Sequence, residues 1–161
     1  ADLFHMTQGL CADAGLPAYE VSNHARPGAE ARHNLIYWRS GDWAGIGPGA
    51  HGRLTLDGTR WATETRRDPN AWLRQVETQG HGGEERREVP PAEQAEELLM
   101  MGLRLAEGVD TARYEALAGR ALDAEAVTRL GELGLIETSP GRITATPAGR
   151  AVLNGVLREL A

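Results

Sequence analysis

The sequence predicts two kinds of structure in one chain: mixed α/β over residues 1–80, and a mostly helical unit carrying a two-stranded hairpin over 91–161. Three observations carry this. The first part alternates helix-like apolar spacing with short stretches rich in Tyr, Val, Trp and Thr, whereas the second is helical almost throughout. Helical stretches of the second part open on a capping residue or a proline and mostly stop at glycine. Between the parts, residues 81–90 (HGGEERREVP) are polar and glycine-containing and read as a linker.

Each element follows from its own residues. ADLFHMTQGLCADAGLP fits an amphipathic helix, with Leu3, Met6, Leu10 and Ala14 on one stripe, Gly15 as stop and Pro17 beyond it. AYEVSN reads as a strand, which would turn Tyr19, Val21 and Asn23 to one side and Glu20 and Ser22 to the other. RHNLIYW reads as helical turns. DWAGIGPGAHGRLTL is expected to begin as a strand that Gly47 and Gly49 interrupt, and TRWATET to form another strand. DPNAWLRQVETQ is a helix with Asp68 as N-cap and Pro69 first. Beyond the linker, PPAEQAEELLMMGLRLAEG places Ala95, Leu98, Leu99, Gly102, Leu103 and Ala106 on one face and closes at Gly108. TARYEALAG is a short helix. LDAEAVTRLGELG is another, capped by Asp123, with Val127, Leu130 and Leu133 inward and Gly134 past its end. LIETSPGRITAT is a hairpin turning at Ser139-Pro140-Gly141. TPAGRAVLNGVLREL is a final helix capped by Thr146, with Val152, Leu153, Val156, Leu157 and Leu160 as its buried stripe. Three helices, a two-stranded wing and a helix is the order of a winged-helix unit.

Composition excludes several functions. With 161 residues, 41% hydrophobic and 25% charged, the chain is globular and long enough for one ordinary domain or two small ones. No apolar run approaches the ~20 residues of a membrane span, and no secretory leader is visible. Cys11 is the only cysteine, so no internal disulfide forms and a cytoplasmic location is expected. All 17 basic residues are arginine, which rules out a P-loop, Schiff-base or general-base lysine. A net charge of −6 disfavours nucleic acid and anionic membrane. Residues 91–161 hold seven Arg against eleven Asp plus Glu, and the expected recognition helix carries Asp123, Glu125 and Glu132 against one Arg129. A DNA-binding regulator, which needs cations there to meet phosphates and guanine edges, is therefore the weakest functional reading.

Chemistry concentrates in residues 19–54, which hold three of the five histidines, two of the four tryptophans and two of the three tyrosines. On a helical turn His33, Ile36 and Tyr37 share a face, and Asn34 and Trp38 share the adjacent one. A histidine beside Tyr and Trp suits a flat aromatic ligand, with imidazole as an axial metal ligand; the alternative is a loop-bonding His33 and a core Trp38. His24 and His51 are further candidates for that ligand, His5 and His81 are expected to be solvated, and no histidine pair has zinc spacing. The glycine run at 45–50 signals either a tight turn or close backbone approach by a ligand.

YEVSNHARPG, RHNLIYWRSGDWAGIGPGAHGRL and the terminal helical unit together resemble the HemN-like radical S-adenosylmethionine proteins. Within that family they are most similar to the HemW-type haem-chaperone branch, itself similar to oxygen-independent coproporphyrinogen III oxidase. The resemblance implies a partial or full α/β barrel of the TIM-like kind binding a [4Fe-4S] cluster and S-adenosylmethionine, followed by a winged-helix C-terminal domain. It implies a haem-binding motif H-N-x-x-Y-W at His33, Asn34, Tyr37 and Trp38. It also implies an S-adenosylmethionine pocket lined by Tyr19, Glu20, Ser22 and Asn23 and by Gly45, Ile46, Gly47, Pro48, Gly49 and Ala50. The family's cluster motif C-x-x-x-C-x-x-C is absent, so the chain is expected to be the C-terminal portion of a longer protein, without radical chemistry of its own. Two readings of its origin stand: a haem chaperone that passes haem to a client protein, or a true oxidase that decarboxylates two propionates to vinyl groups in porphyrin biosynthesis. Only the first calls for the H-N-x-x-Y-W segment. A truncated barrel is further expected to self-associate, or to leave its first 60 residues poorly ordered.

Overall fold

A computed structural model describes residues 2–83 and 86–161. Ala1 of the expected first helix, and Glu84 and Glu85 of the expected linker, lie outside the described residues. The elements in chain order are α1 (Asp2–Asp13), α2 (Arg32–Trp38), β1 (His51–Leu56), β2 (Thr59–Glu64), α3 (Pro69–Gln79), β3 (Arg87–Glu88), α4 (Pro91–Gly102), β4 (Val109–Asp110), α5 (Thr111–Ala118), α6 (Ala124–Glu132), β5 (Ile136–Ser139), β6 (Arg142–Ala145), α7 (Pro147–Ala151) and α8 (Leu153–Leu160). They fall into two compact units, one formed by Ala1–Ser40 with Pro91–Ala161 and the other by Gly41–Pro90. Residues 1–40 thus group with the helical part rather than with residues 41–80.

The unit Gly41–Pro90 is built on an antiparallel sheet ordered β1-β2-β3. Asp57-Gly58 joins β1 to β2 with φ of 51° and 80°, the two positive angles a tight hairpin turn needs. This turn escaped the sequence reading. Asp68 caps α3 by accepting from Ala71 N–H, and Gly80 ends it with φ 79°. Residues 81–90 do more than connect, because β3 pairs with β2 at Trp61↔Glu88 and Ala62↔Arg87. Residues 42–50 form no regular strand: Trp43 makes one bridge to Arg53, and the strand starts only at His51. All strand pairs among the described residues are antiparallel.

The other unit holds the larger core. Leu98, Leu99, Leu103, Val109, Ile143, Val156 and Leu160 are each 3% exposed or less. A second sheet, ordered β4-β6-β5, covers it. Asp110, Asp123 and Thr146 cap α5, α6 and α7 through their side-chain oxygens, and Gly141 (φ 74°) completes the β5–β6 turn.

Four expectations are corrected here. α4 stops at Gly102, not Gly108. Leu103 and Leu105 are both buried, and two residues apart on a helix they would point to nearly opposite sides; the turn bonds Arg104 N–H to Met101 O and Leu105 N–H to Gly102 O let both turn inward, while Ala106 is left exposed. Leu133 is 64% exposed because α6 ends there, and Leu135 bonds back to Leu130 O in its place. The final helix is broken at Val152 (φ −124°), so Val152 is half-exposed while Leu153, Val156 and Leu160 are buried. Lastly, the α1 stripe is outside the core: Leu3, Met6 and Leu10 are 78%, 58% and 65% exposed.

α2 is tied to this unit by a fork. Arg39 Nε and Nη2 donate to Glu107 Oε1 and Oε2 at 2.8 and 2.7 Å. These hydrogen bonds hold the Glu107 carboxyl below its ordinary range, against the upward push of burial. A carboxyl lowered on folding contributes stability above its unfolded pKa and loses it as pH falls through the lowered value. The melting temperature is therefore expected to drop below about pH 4.3, with a contribution from this half-exposed pair of under about 1 kcal/mol. Glu107→Gln should flatten part of that acid limb, and an unchanged limb would show that the pair contributes nothing.

Candidate functional site

The short helix α2 carries its side chains as the spacing demands. His33 and Tyr37, four residues apart, meet edge to face with ring centroids 4.6 Å apart and planes at 86°. His33 is exposed and Tyr37 half-buried. On the adjacent face Asn34 Nδ2 donates to the Tyr19 hydroxyl at 3.0 Å. Trp38 lies beneath the Arg104 guanidinium, whose carbon is 4.7 Å from the ring centroid. Trp38 Nε1 and Ser40 Oγ are buried without a hydrogen-bond partner among the described residues. Arg113 Nη1 and Nη2 donate to the carbonyls of Arg39 and Ser40 and so fix the end of the helix.

Residues 18–24 are not the expected strand. Ala18 bridges His24 and Glu20 bridges Leu105, each as an isolated pair. The alternation of faces fails because Glu20 bends the chain. Its Oε1 accepts from Ser22 N–H at 2.8 Å, Ser22 Oγ at 3.0 Å and Asn23 Nδ2 at 2.7 Å, so residues assigned to opposite faces converge on one oxygen. Glu20 is fully buried. The structure thus brings together Tyr19, Glu20, Ser22 and Asn23 with Asn34, joining part of the expected S-adenosylmethionine set to the expected haem set.

Gly45, Ile46, Gly47, Pro48, Gly49 and Ala50 belong to the other unit. There the run is stapled to the end of β2: Ala50 N–H donates to Thr65 Oγ1 at 2.8 Å, and Gly49 N–H to Arg66 O at 2.8 Å. At Gly45 a Cβ would lie 2.5 Å from the His51 carbonyl oxygen, so the chain itself uses the missing side chain. Gly47 differs, having φ 99° and open space where a Cβ would stand, and Ile46 beside it is 89% exposed.

The histidines separate by their contacts. His24 Nε2 lies 3.2 Å from Gln8 Oε1, and His51 Nδ1 lies 3.5 Å from Glu64 Oε1 across the β1–β2 ladder. Among the described residues His33 has a ring contact with Tyr37 and no polar partner, and its imidazole is exposed. Among the described residues no three His, Cys, Asp or Glu side chains group as a metal site. Sequence reasoning missed Arg104, Glu107 and Arg113, because residues some 70 positions away in sequence signal nothing locally about α2. The one available hint was a lone arginine inside the apolar run MMGLRLAEG.

Residues 89–152 match the HemN C-terminal domain family. The chain is 33% identical over 170 residues to radical S-adenosyl methionine domain-containing protein 1, mitochondrial, of Bos taurus, covering 99% of this chain and 38% of that protein. It is 32% identical over 159 residues to heme chaperone HemW of Bacillus subtilis, covering 97% of this chain and 41% of the relative. With HemW of Escherichia coli it shares 37% over 119 residues, covering 73% and 30%. The chain therefore spans about two fifths or less of the length of the curated relatives it matches. Its fold matches the solved radical SAM enzyme coproporphyrinogen III oxidase (HemN) of Escherichia coli with a TM-score of 0.69, over 99% of this chain and 40% of that one. At 16% identity that likeness shows the fold alone.

Proposed function

Because this chain is a HemW-type portion of the HemN-like radical S-adenosylmethionine family, we propose that it carries the haem-binding element of a haem chaperone. One observation carries the reading: His33 is exposed on α2 with its ring set by Tyr37, within the H-N-x-x-Y-W string. Haem iron takes the His33 imidazole, Tyr37 and Trp38 pack the macrocycle, and Asn34 steadies α2 through Tyr19. Haem is cargo here, handed to a client protein. Soret titration of the chain beside its His33→Ala form tests this: saturable one-to-one binding that the substitution removes is expected, and equal binding in both would reject it.

The parent family's other groups fare differently. An iron–sulfur cluster takes three or four thiolates, and Cys11 is the only cysteine, so this chain's donors do not fit it. S-adenosylmethionine contact is proposed for the glycine run of one unit, supported by the open space at Gly47, and, as a separate proposal within the other unit, for Tyr19, Ser22 and Asn23, on a loop that the buried Glu20 shapes. The helical part is proposed as a winged helix used for docking. Its support is the order α4, β4, α5, α6, β5, β6 with sheet order β4-β6-β5. An acidic α6 whose only arginine, Arg129, is paired to Glu159 supports a role without nucleic acid. A barrel origin is proposed for residues 1–80; the fold likeness supports it, and the antiparallel pairing of β1, β2 and β3 does not.

Among the described residues no helix is long and apolar enough to cross a membrane. The cytoplasm is the proposed setting, supported by the single free thiol; the bovine relative is named as mitochondrial. The exposed α1 stripe supports the expected self-association. Size-exclusion chromatography checks it: a concentration-dependent shift is expected, and Leu3→Ser with Leu10→Ser should abolish that shift.

A further inference from the structure

Arg104 and Arg150 line one cavity of about 340 Å³, in a wall otherwise formed by Val21 and residues 151–155. Among the described residues no acidic side chain lines it, although residues 91–161 carry more acidic than basic side chains. The Nε of each arginine is buried without a hydrogen-bond partner among the described residues. Burial keeps those two Nε atoms themselves from meeting a ligand, so it is the remaining guanidinium nitrogens of the two lining arginines that would meet one. Burial lowers the Arg150 pKa while the charge of Glu20 raises it, and Glu20 keeps its own Oε2 unpartnered. The break at Val152 adds to the same wall the start of α8, which no side chain caps. Arg104 also covers Trp38, so the cavity connects through one guanidinium to the helix that bears His33.

The geometry points to an oxyanion subsite in which Arg104 and Arg150 take a carboxylate or phosphate group. Guanidinium forks match these planar or tetrahedral oxygens with paired charge-assisted bonds, and a half-buried pair of cations selects for negative charge. Two sources share that chemistry. One is a propionate of the haem held on α2, which rests on the haem reading; the other is a small free anion.

The test has two arms on the wild-type chain. In the first, haem and its dimethyl ester, which lacks both propionate charges, are titrated by Soret absorbance. Haem is expected to bind at least roughly tenfold more tightly than the ester, with Arg104→Gln and Arg150→Gln cutting that difference. In the second, inorganic phosphate and succinate are titrated while the Trp38 indole N–H is followed by NMR, assigned by its absence in Trp38→Phe. A saturable shift that Arg104→Gln removes supports the subsite with a free anion as its source, and this arm stands even if haem does not bind at all. Equal haem and ester affinity together with an unmoved indole signal overturns the subsite, and neither of those readings depends on an arginine variant folding.

Discussion

The His33→Ala chain is expected to lose saturable haem binding altogether, while His24→Ala and His51→Ala keep it. The reason is access to a lone pair. An axial ligand must offer an unencumbered imidazole nitrogen, and His33 is exposed with a ring contact only to Tyr37. His24 Nε2 and His51 Nδ1 have polar neighbours at 3.2 and 3.5 Å, which leaves each ring its second nitrogen, so the three alanine variants decide between the rings and the H-N-x-x-Y-W setting favours His33. Removing the iron ligand itself should weaken binding by more than the roughly 10–100-fold that loss of an outer-shell partner costs a metal site. Tyr37→Ala should weaken binding less, because it frees the imidazole to rotate without removing the nitrogen. If His51→Ala rather than His33→Ala abolished the Soret change, the ligand would lie on β1 and the assignment on α2 would be wrong.

Leu103→Ala is expected to produce the largest loss of stability. Leu103 is 0% exposed and packs in the cluster that holds Leu99, Val109, Ile143, Val156 and Leu160. Truncating a fully buried leucine removes its transfer energy and leaves a cavity, together about 2–5 kcal/mol. The urea midpoint of the unit containing Pro91–Ala161 should fall with little change in slope. Trp38 reports on that unit, whereas Trp43, Trp61 and Trp72 lie in Gly41–Pro90, so replacing those three with Phe leaves Trp38 emission to isolate the transition. Leu133→Ala, at a site 64% exposed in the same unit, is the control and should cost far less. A loss below about 1 kcal/mol for Leu103→Ala would mean that the cluster can collapse around the gap.

What was legible in the sequence was local. Caps at Asp68, Asp123 and Thr146, the Pro140-Gly141 turn and the four-residue spacing of His33 and Tyr37 depend on neighbours within a few positions. The same holds for the H-N-x-x-Y-W and glycine-rich strings, whose resemblance pointed to the HemW branch before any fold was known.

Tertiary structure decided whatever required a distant partner. AYEVSN has the composition of a strand, but Glu20 found three donors within three residues and a backbone bridge at Leu105, so a bent loop won over a ladder. The stripe of Leu3, Met6 and Leu10 has helical spacing, yet spacing says only that a face exists and not what covers it. The final helix broke at Val152, where Gly149 is pressed against the Leu135 carbonyl while Leu153, Val156 and Leu160 enter the core. Arg104 over Trp38 and Arg39 on Glu107 join residues 66 and 68 positions apart, and only the folded chain brings such pairs within contact. Periodicity and capping are short-range effects and can be read along the chain; pairing and burial are set by which surfaces meet, and that is a property of the fold.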